Sequence, residues 1–424
     1  MENGDSMFLN IPEANAFFNQ RYELGVKPGL SRMHELLTRI GNPEKRFRAV
    51  HIAGTNGKGS TLHFLKTALR ENGYDVGVFT SPSFHGLRAH IYLNDDILPE
   101  SDWLALLNQL HPHILAMDEK GMAPSAFEIL TAIAFLYFAE HGEIALIEAG
   151  MGGRFDTTNM IQPELSIITK VAKDHTTYLG ETEKEIAWHK AGIIKPNIPV
   201  IIGRMSTEAL DVIRQEAKAN GAPLYELDND FRVEDRGEQT FWEGAGMNQI
   251  AKVKMNMKGN HQLHNLGIAL QALNLLEKNG YPVDWQKAEE AIGKIRLPGR
   301  FEQVKDQPLV IIDAAHNPDG IKALIQTVEM HYPNCGKHAI VAMFHDKATD
   351  EMLELLNRHF DEVSLTSFQH PRVWDIDQVG KKWRTHVVAI EPDYRRLLEE
   401  LDDGKIHVIT GSLHFVAEVR NYFL

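Results

Sequence analysis

Apolar residues fall in short blocks separated by segments of helical period. The run Arg48-Ala49-Val50-His51-Ile52-Ala53 leads into a glycine-rich turn, and from Thr61 to Glu71 the apolar positions Leu62, Leu65, Ala68 and Leu69 recur at helical spacing. That order predicts a strand, a loop and a helix. Further blocks at Ile144 to Ile147, Leu165 to Thr169 and Val200 to Ile202 are each followed by a helical or loop segment. After about Arg296 the alternation restarts, with strands predicted at Leu309 to Ile312 and Ala339 to Ala342 and helices at Ile321 to Met330 and Asp350 to His359. A last strand, His407 to Thr410, precedes a helix from Phe415 to Tyr422. Strands alternating with helices imply parallel βαβ units with helices on both sheet faces, an α/β fold. Leu297-Pro298-Gly299-Arg300 is a hinge candidate, because proline and glycine punctuate local structure, and it sets an expectation of two domains, 1–296 and 297–424. The less regular stretch Asp228 to Met247 predicts a hairpin or surface insertion.

Composition narrows the partners. A chain of 424 residues, 43% hydrophobic and 24% charged, can fill two cores of ordinary size. Acidic residues outnumber basic ones 58 to 44, for a formal charge of -14, so the overall field opposes a phosphate-backbone partner and nucleic acid is not the expected ligand. Met1-Glu2-Asn3-Gly4-Asp5 lacks the basic-then-apolar signature of a secretory signal, and no apolar stretch approaches the roughly 20 residues that cross a bilayer. A cytoplasmic protein without a membrane partner is expected. Cys335 is the only cysteine, which leaves no intrachain disulfide and no cysteine-rich zinc site.

The chemistry begins at Gly54-Thr55-Asn56-Gly57-Lys58-Gly59-Ser60, where the first strand hands over to a helix. Successive backbone N–H groups and the positive helix end can converge there on phosphate oxygens, and Lys58 adds a cation. The strict G-x-x-x-x-G-K-[ST] pattern fails, since its first glycine would fall at Ile52 and Gly59 follows the lysine. A tight turn with an incidental lysine is the plainer reading. Strand, glycines, lysine, hydroxyls and helix in that order favour phosphate. Glu148 ends an apolar strand, the place where α/β sheets set their ligands, so its carboxylate can serve a metal beside the phosphates.

The run Val50 to Thr61 resembles the nucleotide loop of the folylpolyglutamate synthase and dihydrofolate synthase family, a branch of the Mur ligase superfamily. Leu146-Ile147-Glu148-Ala149-Gly150-Met151-Gly152-Gly153-Arg154-Phe155-Asp156 is similar to the family's E-x-G-x-G-G-x-x-D loop. Similar motifs follow in order through the chain, among them Thr80-Ser81-Pro82, Phe127-Glu128, Asp174-His175, His189-Lys190-Ala191-Gly192, Gly259-Asn260-His261-Gln262, Pro298-Gly299-Arg300, Asp313-Ala314-Ala315-His316-Asn317 and Thr410-Gly411-Ser412. The resemblance implies an N-terminal P-loop ATPase-like domain with a parallel sheet and a C-terminal Rossmann-like α/β domain. It implies an ADP-forming ligase that adds L-glutamate to folates, or to dihydropteroate, through an acyl phosphate, with ATP and Mg2+. It assigns ATP binding to Gly54, Thr55, Asn56, Gly57, Lys58, Gly59, Ser60, Thr61, Asn265, Arg300, Asp313 and His316, with Arg300 on the phosphates and Asp313 near the ribose. It gives one magnesium to Ser81 and Glu148, and a second to Glu148, His175 and Lys190, the lysine as a carbamate. It makes Lys58, Glu148, His175 and Lys190 catalytic and puts Phe127, Arg154, Phe155, Asp156 and Ser412 at the substrate. Partners would be small molecules, and the chain a monomer.

Departures from the family pattern, among them Ser125 in its T-x-F-E element and Ala172 in its G-x-D-H element, and two rivals remain at this level. Where the family has F-N-E-R-I this chain reads Leu87-Arg88-Ala89-His90-Ile91, so the acid substrate is the open part of the reading. The family's D-G-A-H-N reads Asp313-Ala314-Ala315-His316-Asn317. A Mur-type ligase for another carboxylate would carry a further N-terminal domain, whereas 53 residues precede Gly54. A non-catalytic nucleotide-binding regulator would be favoured by loss of Glu148, His175 or Lys190, and all three are present.

Overall fold

The computed structural model describes residues 7–83, 86–237, 239–245 and 250–424. The chain forms two compact units. One holds the residues up to Val171 with Thr177–Lys254 and His264–Ile292, and the other holds Ala172–Thr176, Met255–Leu263 and Gly293–Leu424.

The first unit is built on β1 (Ala49–Ala53), β2 (Val76–Phe79), β3 (Ile91–Leu93), β4 (Asp96–Ile97), β5 (Ile144–Glu148), β6 (Leu165–Ile168), β7 (Val200–Ile202) and β8 (Leu224–Glu226). They make an eight-stranded sheet in the order β4-β3-β2-β5-β1-β6-β7-β8. From β2 to β8 the strands run parallel, and β3 and β4 form an antiparallel edge. All residues of β1 and of β5 are buried, because helices cover both faces of a parallel sheet. Their sequences are therefore near-continuous apolar runs rather than alternations. Register puts Phe79, Ala53, Ile168 and Ile202 on one face, where Phe79, Ile133 and Phe135 belong to one core cluster and Ile168, Ile186 and Ile202 to a second beside it.

Helix Lys58–Glu71 starts three positions ahead of the expected Thr61, with Gly57 at φ 90° as its N-cap. The helix Ala126–Phe138 was not visible as a period, for a physical reason. Every residue in it but Phe127 is buried, so it has no polar face to set a rhythm. Its start is fixed by a reciprocal cap. The Glu128 amide donates to Ser125 Oγ at 3.3 Å, and the Ser125 amide donates to Glu128 Oε2 at 2.7 Å. Gly77 is required where this helix meets β2, since a Cβ there would stand 2.7 Å from Phe138 Cδ1. The irregular stretch after Asp228 forms β9 (Arg232–Asp235) and β10 (Thr240–Glu243), an antiparallel pair extended by β11 (Ile250–Val253). Met247, at the end of the expected hairpin, lies outside the described residues.

The second unit carries β12 (Glu302–Lys305), β13 (Leu309–Ile312), β14 (Gly336–Val341), β15 (Glu362–Ser367), β16 (Ala389–Asp393) and β17 (Lys405–Thr410), in the order β12-β13-β17-β14-β15-β16. Only β12 is antiparallel. Helices Pro318–His331 and Thr349–His359 pack on one face, where Ile321, Leu324, Met352 and Leu353 are buried, and helix Leu413–Phe423 brings Phe415 and Val416 to the other. No helix of the described residues is long and apolar enough to cross a membrane.

A polar chain runs through this second core. His338 Nδ1 lies 3.0 Å from His407 Nδ1, His338 Nε2 lies 2.8 Å from Ser364 Oγ, and His407 Nε2 lies 2.9 Å from the Asp402 carbonyl. Burial, then the neighbouring His407, push His338 down to about 4, with Glu362, Lys405 and Asp402 as further charges nearby. Its folded value is below the unfolded one, so the unfolded chain binds the extra proton. The contribution to stability is complete above about pH 6.5 and is lost as pH falls towards 4. Urea unfolding is expected to show about 2 kcal/mol of stability lost at this residue between pH 7 and pH 5. A His338→Gln variant should have a correspondingly flatter pH dependence, and an identical slope would refute the assignment.

Candidate active site

The pairing of β1 and β5 places the chemistry. Ile52 is in register with Glu148, so the phosphate loop leaves β1 beside the carboxylate that ends β5. Both strands are interior to the sheet, and the loops at their carboxyl ends open where the chain turns from one side of the sheet to the other. Glycine is needed at two points of the loop for close approach. A Cβ on Gly54 would collide with Thr169 Oγ1, and one on Gly57 with Asn265 Oδ1. Thr169, just past β6, donates to the Asn56 carbonyl at 2.7 Å, and the Thr55 amide donates to the Lys170 carbonyl at 2.7 Å. The loop is thus held by its neighbours, with Gly59, Ser60 and Thr61 in the first turn of the helix that follows. Asn265, on helix Asn260–Lys278, is brought to the loop although it lies some two hundred residues further on.

Lys58 donates to the Gly54 carbonyl at 3.0 Å and lies 3.7 Å from Glu148 Oε1. Its side chain is 17% exposed and that of Glu148 is 5% exposed. Thr80 donates its hydroxyl to Glu148 Oε2, and the next residue is Ser81, just beyond β2. Cation, carboxylate and serine therefore belong to adjacent strand ends. His90 bears on the same place, because its Nδ1 lies 2.7 Å from the Thr80 carbonyl. Burial holds His90 below the usual histidine range, opposed by that hydrogen bond. The departure from the family pattern is thus structurally accommodated, with Ala89 fully buried and Arg88 donating to the Leu98 carbonyl at 2.8 Å. Phe84 and His85 lie outside the described residues. Lys190 sits in the last turn of helix Glu183–Ala191 and is buried.

The glycine-rich loop after β5 sorts the expected substrate residues. Phe127 and Asp156 meet at Gly150, where a Cβ would stand 2.6 Å from Phe127 Cζ and 3.3 Å from Asp156 Oδ2. Asp156 is buried, which raises its carboxyl, against hydrogen bonds from Thr158 and the Met151 amide that lower it. Arg154 points elsewhere: it pairs with Glu216 at 2.8 Å and lies 4.3 Å from the Trp188 ring centroid. Phe155 is exposed and tilts against Trp188 and His189.

In the second unit, Asp313 is buried and accepts from the Phe301 amide at 2.8 Å and the Ala315 amide at 2.9 Å. Burial raises its carboxyl, opposed by the charge of Arg300. His316 Nδ1 lies 2.9 Å from the Ala314 carbonyl, which leaves Nε2 3.5 Å from Asp174 Oδ2. Asp174 also takes Lys347 at 2.6 Å and Asn317 at 3.3 Å. Burial alone would raise the Asp174 carboxyl, but the hydrogen bond from His316 and the charges of Lys347, His175 and His316 hold it well below the usual range. His175 follows at φ 50°, a left-handed conformation that a non-glycine residue adopts at a cost, with its amide 2.8 Å from Asp174 Oδ1. Ser412 is the buried N-cap of helix Leu413–Phe423.

Sequence reasoning passed over Thr80, Thr169 and Lys347. Thr80 stood within the Thr80-Ser81-Pro82 motif, and only its hydroxyl's reach to Glu148 marks it. Nothing in spacing signals Thr169 or Lys347, whose partners are distant in the chain.

Residues 52–273 match the Mur ligase middle domain and residues 299–413 match the Mur ligase glutamate ligase domain. A dihydrofolate synthase/folylpolyglutamate synthase of Bacillus subtilis is 35% identical over 431 residues, covering 98% of this chain and 99% of the relative. The structure of a Mycobacterium tuberculosis folylpolyglutamate synthase complexed with ADP and AMPPCP is similar with a TM-score of 0.88 at 28% identity, over 97% of this chain and 98% of that one. The E. coli FolC structure in complex with DHPP and ADP gives a TM-score of 0.86 at 25% identity, over 96% of this chain and 97% of that one. With both domain matches and full-length relatives in agreement, the chain belongs to the folylpolyglutamate synthase/dihydrofolate synthase family of Mur ligases.

Proposed function

We propose that this chain is an ADP-forming ligase that adds L-glutamate to folates, and to dihydropteroate as the first acceptor, through an acyl phosphate. The observation that carries the reading is the meeting of Lys58, Glu148 and the glycine-packed phosphate loop at adjacent strand ends. Names and bound nucleotides of the relatives support it. On this reading 1–296 is the ATP-binding domain and 297–424 the glutamate-ligase domain, and the chain works as a cytoplasmic monomer.

The chemistry is mainly placement. A carboxylate oxygen of the acid attacks the γ-phosphorus of ATP and the bond to ADP breaks. The amine of glutamate then attacks the acyl carbon, phosphate leaves, and the amine gives up a proton. Loop amides and the amino end of helix Lys58–Glu71 hold the phosphates, and Lys58 opposes the charge that spreads over the transferring group. Asn265, Arg300, Asp313 and His316 are the proposed further contacts to ATP, and Phe127, Asp156 and Ser412 to the acid and glutamate. Arg154 and Phe155 serve the substrate loop through Glu216, Trp188 and His189 rather than by a free side chain.

Among the described residues no group of three or more histidine, cysteine or carboxylate side chains is arranged to hold a metal ion by itself. The few donors that the family resemblance names nevertheless suit magnesium, which takes few protein oxygens beside phosphate and water. Ser81 and Glu148 would hold one ion and Glu148, His175 and carbamylated Lys190 another, supplying charge neutralisation at the phosphates.

Purified protein should release ADP only when a folate-type acid and L-glutamate are both present. Turnover indifferent to either substrate would mean a simple ATPase. Lys58→Ala is expected to lower kcat/KM by on the order of a hundredfold or more, the effect of losing a transition-state contact of roughly 3 kcal/mol. Near wild-type kinetics would remove the loop from the phosphates. Lys190→Ala should be inactive and regain part of its activity in a buffer containing a short carboxylate, since that anion restores the oxygen donors. A high-resolution map of a fully active, metal-loaded enzyme with an unmodified Lys190 side chain would reject the carbamate.

A further inference from the structure

The strand that delivers the phosphate loop carries one polar side chain the loop does not use. His51 stands among Ala49, Val50, Ile52 and Ala53, is 0% exposed, and brings Nε2 to 2.9 Å from Thr158 Oγ1. Thr158 donates to Asp156 Oδ1 twice, through its hydroxyl at 2.6 Å and its amide at 3.1 Å, while the Met151 amide donates to Oδ2 at 2.8 Å. The threonine has one hydroxyl proton, and the carboxylate receives it. Thr158 Oγ1 must therefore accept from His51, which fixes the imidazole as the Nε2–H tautomer.

That choice leaves His51 Nδ1 as a buried acceptor with no partner among the described residues. A valine or leucine would fill an interior parallel strand without that penalty, so packing does not account for the histidine. What the histidine accomplishes is visible at the other end of the chain. Asp156 lies against Gly150 beside Phe127, and Thr157 Oγ1 is 2.6 Å from Thr131 Oγ1 on the Phe127 helix. The segment Asp156 to Thr158 is thus hung between β1 and that helix, with its carboxylate set by the β1 anchor.

We propose that His51 is a positioning residue for the acid substrate, acting through Thr158 to orient the Asp156 carboxylate beside Phe127. This rests on the ligase reading above and on Asp156 meeting the acid. It makes β1 a shared support, with the phosphate loop at its end and the Asp156 anchor in its middle.

The test is steady-state kinetics of wild type, His51→Leu, His51→Gln, Thr158→Val and the His51→Leu/Thr158→Val double variant, with ADP release as readout. Expected is a rise of about tenfold in KM for the folate-type acid in His51→Leu and Thr158→Val, with KM for ATP within about twofold of wild type. His51→Gln, which keeps an N–H donor, should recover most of the loss, and the double variant should be no worse than Thr158→Val alone. An unchanged KM for the acid, a parallel rise in KM for ATP, or additive losses would overturn the proposal. If wild type itself releases no ADP with folate and glutamate, the ligase reading fails; if wild type is active and the variants match it, only the role of His51 fails. Should His51→Leu not fold, Thr158→Val against Thr158→Ser decides, since serine keeps the relaying hydroxyl and should stay near wild type.

Discussion

Because β1 pairs in parallel with both β5 and β6, Ile52 opposite Glu148 and Ala53 opposite Ile168, the loops that leave these strands emerge side by side. A phosphate loop, a carboxylate and a threonine that props the loop are thereby placed by sheet hydrogen bonds rather than by side-chain contacts. Sheet register is stiff, since a slip of one residue would turn His51 and the apolar residues beside it to the opposite faces. Every later feature of the first unit builds on that register.

Close backbone packing then gives the loop its shape. Gly54 and Gly57 are passed by Thr169 and Asn265 at distances no side chain would allow, and Gly150 is passed by Phe127 in the same way. Such contacts leave backbone N–H groups as the lining, which suits an anion that must be held from several sides. They also tie the loop after β1, the glycine-rich loop after β5 and two helices into one preorganised body, the condition under which fixed dipoles stabilise developing charge.

The second unit meets a harder electrostatic problem. Asp174 and Lys347 are 7% and 8% exposed in their side chains, so each would be costly to bury alone. The cost is offset by several donors converging on one carboxylate, with Asn317 and His316 completing the set. Losing one partner would strand a buried charge, so the arrangement fixes the neighbouring His175 and His316 more firmly than surface pairs would.

The sequence alone determined the alternation of strand and helix, the glycine-rich loop between the first strand and its helix, the Glu148 strand end and the family, because each is local: an apolar run, a glycine pattern, a string of residue types. It also located strands such as Val200–Ile202 and Leu309–Ile312, whose apolar blocks end where the sheet does. Only the tertiary structure decided which expected residues share a place. Phe127 and Asp156 converge while Arg154 pairs with Glu216, Lys190 is buried, and Ala172–Thr176 and Met255–Leu263 belong with the second unit. It alone revealed the helix Ala126–Phe138, whose apolar surface is complete, and the links from Thr80 to Glu148 and from His51 to Asp156. The reason is the same in each case. A helix buried on all sides carries no period, and a hydrogen bond between residues far apart in the chain leaves no mark in either neighbourhood until the sheet brings them together.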